Sequence, residues 1–206
     1  FFEEGKEFYK NYFKIGIPGI IGGIGLGTAM ICFIWSITHT TAAITLLCLS
    51  AMPFITALLG FLFLREKISI SVWWAISIAS LGIVIMAFGS ASLGTITGFI
   101  FGLASALGFS IFSVSLRWKP ETPKFTTVAL AGLFCCLFSL TIMIQKDMNF
   151  LSTSNNQGLF ALHGTIVCMG LILYSIGSKI IPAAELTLLS LTEVIGGIFW
   201  VWIPLF

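Results

Sequence analysis

The run Ala42–Leu64 has 23 positions without a charged residue, and Arg65, Glu66 and Lys67 follow at once. At 1.5 Å per residue a helix of that length extends roughly 34 Å, which crosses the hydrocarbon core of a bilayer. The charge cluster then holds the end of the helix at the lipid headgroups. Composition points the same way: 9% of the residues are charged, against about 25% in an ordinary soluble domain. Twenty Phe, six Trp and 21 Gly suit lipid-facing surfaces and close helix packing. The net charge of +2 sits in short clusters between apolar runs. No basic face forms, which excludes nucleic acid as a partner.

Seven apolar runs have the length of a spanning helix: Ile15–Thr38, Ala42–Leu64, Val72–Gly89, Thr95–Leu116, Phe125–Ile144, Gly158–Ser178 and Leu186–Phe206. Residues 1–14 are charged and amphipathic and lead into the first run. No cleavable signal peptide is visible there. The links are short and rich in turn residues. Between Lys67 and Arg117 no charge occurs, so Ser90–Gly94 is the turn that divides that stretch. The chain therefore reads as an all-α polytopic membrane protein.

Lys and Arg fall unevenly on the alternate links. One side holds Lys6, Lys10, Lys14, Arg65, Lys67, Arg117, Lys119, Lys124 and Lys179, and the other holds Lys146. The positive-inside rule makes the first side cytoplasmic. Residues 1–14, 65–71, 117–124 and 179–185 are then inside, and His39 is outside.

Ala183–Phe206 repeats the design of Ala42–Leu64 at an offset of 141 residues. Ala42, Ala43 and Leu47 fall on Ala183, Ala184 and Leu188. On the topology above, the two runs cross the bilayer in opposite directions. That is the arrangement of an inverted repeat with an odd number of helices in each half.

Several short motifs resemble the EamA-type branch of the drug/metabolite transporter superfamily. They are Thr41-Ala42-Ala43, Ala51-Met52-Pro53-Phe54 and Leu62-Phe63-Leu64-Arg65-Glu66. The second copy contributes Ile181-Pro182-Ala183-Ala184-Glu185 and Leu191-Thr192-Glu193. Val194 stands where the family often has a proline after the mid-helix glutamate. The resemblance implies ten helices in a 5+5 inverted-repeat bundle and transport of small metabolites. On that plan residues 1–90 hold three helices of the first repeat and residues 95–206 hold four of the second. Two helices would precede Phe1 and one would follow Phe206. By the same resemblance the location is the plasma membrane, a bacterial inner membrane.

Gly19-x-x-x-Gly23-x-x-x-Gly27 and Gly98-x-x-x-Gly102 place glycines on one helix face, where two backbones can approach. The segment GGIGLG is not a dinucleotide loop, because it lies inside an apolar span. Cys32, Cys48, Cys135, Cys136 and Cys168 all lie in apolar runs without C-x-x-C spacing and read as small packing residues.

Glu193 is the acidic residue within a span, eight residues into Leu186–Phe206. A charged side chain at a helix centre costs about 2.5–3.5 kcal/mol on insertion scales, so it faces a cavity or a partner. Ser190, Glu193, Gly197 and Trp200 share a helical stripe. Low-dielectric surroundings favour a carboxyl's neutral form, which makes Glu193 the candidate for proton coupling. The bland alternative is a hydrogen bond to a neighbouring helix. Trp35 and His39 lie one turn apart, in a stripe with Thr28 and Cys32. Tyr174 shares a face with His163, Gly170 and Gly177. Trp35, His39, Tyr174, Ser190 and Glu193 are thus the candidate substrate-binding residues, against an interfacial aromatic belt and ordinary packing. Pro53 is the candidate kink and gate. Glu185, after Pro182-Ala183-Ala184, favours a helix dipole.

Catalytic constellations are missing. No Asp lies in a span, no second carboxylate accompanies Glu193, and neither histidine has a spaced partner. The sequence predicts no catalytic residue, no metal and no cofactor. The expected function is secondary transport of a small metabolite by alternating access, with the bilayer, the solute and protons as partners. The competing class is a membrane-embedded enzyme acting on a lipid-linked substrate.

Overall fold

Among the described residues seven helices have defined bounds: α1 (Gly16–His39), α2 (Ala42–Leu49), α3 (Met52–Leu64), α4 (Leu93–Trp118), α5 (Lys124–Gln145), α6 (Ser154–Gly177) and α7 (Ala183–Trp202). This computed structural model describes residues 15–65, 93–119, 122–146 and 154–202, with 70, 71, 73, 74, 77, 78, 81 and 85 between them. The entry segment 1–14 and most of the run 72–89 lie outside the described residues. The eight described positions from 70 to 85 are all helical, and Trp73 meets Phe61 edge-on at 6.2 Å. Among the described residues every regular element is helical. Five helices are long and apolar enough to cross a membrane, Ala42–Leu64 counting as one through a local break. The chain is an all-α polytopic membrane protein.

The break has a covalent cause. Pro53 has no N–H, so the carbonyl one turn before it loses its helical donor. Around it the chain tightens: Ser50 N donates to Leu47 O at 3.1 Å and Ala51 N to Cys48 O at 3.1 Å. Helix α3 then restarts at Met52 and ends at Arg65, whose φ of 55° lies in the left-handed region. Its N–H caps the helix by donating to Gly60 O.

Glycines set how closely the helices pack. A Cβ on Gly108 of α4 would stand 2.6 Å from Gly25 O of α1, and a Cβ on Gly25 would stand 2.9 Å from Gly108 O. At that crossing two backbones touch. Gly22 faces Ser115 and Gly98 faces Thr40, so α1 and α4 run antiparallel. Gly19 meets Thr127, Gly23 meets Leu130 and Gly27 meets Phe134, so α1 and α5 run parallel. Hydroxyls tie the interfaces between the helices. Ser36 Oγ donates to Gly98 O (2.7 Å) and lies 2.8 Å from Thr45 Oγ1. Ser105 Oγ donates to Ala29 O at 2.8 Å. Each interhelical bond of this kind is worth about 0.6 kcal/mol in a membrane.

Two apolar clusters fill the centre. Leu26, Phe112, Leu116 and Ala131 form one, and Ala51, Met52 and Ala106 form the other. Phe109 packs against both.

These pairings fix the ends of the bundle. Cys48 lies by Phe99 and Met52 by Ser110, so α2 and α3 run with α4. Arg65, Arg117, Lys119, Lys124 and Lys179 therefore gather at one end, with Lys146 and His39 at the other.

Candidate functional site

The predicted site residues fall into three places. Trp35 and His39 form the first, at the end of α1 away from the basic residues. Trp35 is 39% exposed. Its ring meets Phe101 edge-on at 5.2 Å and lies 6.2 Å from Phe138. The His39 ring lies 6.2 Å from Phe101. His39 Nδ1 stands 2.8 Å from Trp35 O. A carbonyl only accepts, so Nδ1 carries the proton and donates to it. Thr38 Oγ1 donates to the same carbonyl at 2.9 Å. His39 and Thr38 thus turn their side chains back onto the last turn of their own helix.

Tyr174 of α6 occupies the second place. Its hydroxyl lies 2.6 Å from Ser113 Oγ of α4. Phe109 meets the ring edge-on at 5.1 Å and Phe112 stacks on it at 6.0 Å. This group joins the cluster of Leu26, Phe112 and Leu116. Trp35 and Tyr174 do not meet. Twelve residues of α4 separate Phe101 from Ser113, roughly 18 Å along a helix.

The third place is the broken span and α7. Pro53 is buried directly after the break, beside Met52 and Ala51. Met52 O accepts from Ser110 Oγ of α4 at 3.1 Å. Ser190 is half-buried, and its hydroxyl donates to Thr187 O of its own helix at 2.7 Å. Glu193 is exposed on α7. The surroundings of Gly197 and Trp200 lie outside the described residues, so their stripe is placed only as far as Glu193. Among the thiols Cys48 is fully buried, whereas Cys136 and Cys168 are exposed.

Sequence reasoning missed the partners on α4. Ser105, Ser110, Ser113 and Ser115 are all buried. Four serines within eleven residues of an apolar span are a visible signal. Their side chains supply neutral donors and acceptors among aromatic rings. Each of these hydroxyls is bonded within the bundle, to Ala29 O, to Met52 O and Ala106 O, beside Tyr174 Oη, and to Phe112 O respectively.

No curated protein matches the chain, and no solved structure does. Residues 1–88 match the model of the EamA-like transporter family. With its apolar helices, that match supports the reading of the chain as an EamA-type member of the drug/metabolite transporter superfamily.

Proposed function

We propose that the protein is a secondary transporter that moves a small organic solute across a bilayer by alternating access. The observation that carries this reading is the family match over residues 1–88. The solute class is amino-acid-like, nucleoside-like or another small metabolite. Residues 1–90 belong to the first repeat and residues 95–206 to the second, each in part, of a 5+5 inverted-repeat bundle. The basic end of the bundle faces the cytoplasm, and the membrane is the plasma membrane. Trp35 and Tyr174 border the solute path at different depths, with His39 and Ser190 as polar points beside it. Glu193 exchanges a proton during the cycle, and Pro53 allows α2 and α3 to bend as the path opens.

Purified full-length protein in proteoliposomes tests this reading. Saturable uptake and counterflow of one solute from a panel of amino acids, nucleosides and small metabolites is the expected result. Absence of flux, with covalent change of a lipid-linked substrate in the absence of any gradient, overturns it.

A further inference from the structure

Two polar ties cross the basic end of the bundle. Lys124 Nζ, on the first turn of α5, donates to Ser178 Oγ just past α6 at 3.1 Å. Arg117 Nη1, near the end of α4, donates to Ile181 O in the link between α6 and α7 at 2.8 Å. Lys124 is 6% exposed and Ser178 is 4% exposed. Ser178 Oγ hands its own hydrogen to Ser175 O at 2.8 Å. An ammonium taken out of water is costly unless it is bonded, so this position is a specific one for a lysine.

Away from this end α6 is barely packed. From Gln157 to Gly170 every residue but Val167 is exposed. A Cβ added at Gly158, Gly164 or Gly170 would meet nothing within 4 Å. Among the described residues the helix joins the core through Leu171 and Tyr174, and beyond them through buried Ser175 and Ser178 and through Gly177 against Leu186. Among the described residues its packing lies at the basic end.

Ser175 supplies the second observation. It is fully buried and its Oγ has no hydrogen-bond partner. A hydroxyl left unpaired in the interior is a penalty of the closed arrangement, and water relieves it. It lies one turn deeper than Ser178, so it is an early polar group to be wetted if the end opens.

We propose that Lys124–Ser178 and Arg117–Ile181 form the releasable closure of the solute path at the basic end. This rests on the transport reading above. Hydrogen bonds exchange for water at small net free energy, whereas parting a large apolar face does not. An end tied by polar bonds and a small apolar contact through Leu171, Tyr174 and Gly177 thus opens and recloses.

The test uses the full chain with its five cysteines replaced and Ser175→Cys as reporter. An impermeant thiol reagent is applied to right-side-out and inside-out vesicles. With the closure intact, labelling from the side of Lys119 is slow. Ser178→Ala and Lys124→Gln each raise that rate about tenfold, the equivalent of one charge-assisted hydrogen bond. Ser178→Thr keeps the hydroxyl and restores slow labelling. If Lys124→Gln does not fold, Ser178→Ala, which removes a single oxygen, carries the test. Unchanged labelling beside normal flux overturns the closure alone, including when thermal stability falls. No flux of any solute by the native chain overturns the transport reading alone.

Discussion

Glu193 and Tyr174 show two ways in which a polar side chain enters a membrane span. Glu193 is exposed on α7, within the apolar run Leu186–Phe206, where a carboxylate needs a partner or a cavity. Gln at this position keeps shape and hydrogen bonding but cannot titrate. If the carboxyl couples protons to transport, Glu193→Gln retains counterflow and loses accumulation driven by a pH gradient. Full pH-driven uptake in both the Gln and Ala variants removes it from the mechanism. Tyr174 is satisfied by Ser113 at 2.6 Å. Tyr174→Phe keeps the ring among Phe109 and Phe112 and lowers stability by about 0.6 kcal/mol, the worth of one such bond. If the hydroxyl also meets solute, counterflow shows weaker affinity in Tyr174→Phe well beyond that, while a purely structural role leaves affinity unchanged. The sequence made Glu193 legible because a charge in an apolar run needs a reason. Ser113 was not legible as its partner. Serines are tolerated anywhere on a membrane helix, and only the rotation of α4 decides which one faces α6.

At the scale of elements, the contrast between the broken span and α7 follows from one residue. At the offset of 141 residues Pro53 corresponds to Val194, which has an N–H. Accordingly α7 is continuous from Ala183 to Trp202, whereas Ala42–Leu64 is interrupted at Ser50 and Ala51. Pro53→Ala restores a donor and should straighten the span. The expected outcome is turnover several-fold lower with solute affinity retained, read from initial rates across a concentration series; unchanged turnover would show that the bend plays no part in the cycle. Glycine contacts give a second element-scale prediction. A Cβ on Gly108 meets backbone at 2.6 Å, and one on Gly132 meets nothing within 4 Å. Gly108→Ala should destabilise the detergent-solubilised protein by about 1–3 kcal/mol, as overpacking does. Gly132→Ala should leave its melting temperature unchanged or slightly raised. Run lengths were readable from the sequence to within a few residues, since charge and turn residues mark the ends of spans. The expected run 125–144 is α5 at Lys124–Gln145 and 95–116 is α4 at Leu93–Trp118. The break itself was announced only by its proline, because an unbroken apolar run carries no sign of where a backbone ladder lapses.

For the whole molecule, the segregation of cations at one end is the feature on which its proposed orientation rests. Arg65, Arg117, Lys119, Lys124 and Lys179 share that end, and Lys146 lies at the opposite one. Single cysteines at 119 and 146, in a background free of native cysteines, report the sidedness. An impermeant reagent added to intact cells should label position 146 and spare position 119; the reverse pattern would invert the topology. The clustering of cations at one end was legible because it depends on counting charges, whereas the meeting of α4 with α1 at Gly25 and Gly108 was not, because many glycines could have served. The cement between these helices has a further property. Ser110 has one hydroxyl hydrogen and two acceptors in reach, Met52 O on α3 at 3.1 Å and Ala106 O on its own helix at 2.8 Å. If α3 withdraws, the hydrogen turns to Ala106 and no polar group is stranded. Such a joint can be undone and remade indefinitely without wear, like a latch that falls back on its own post.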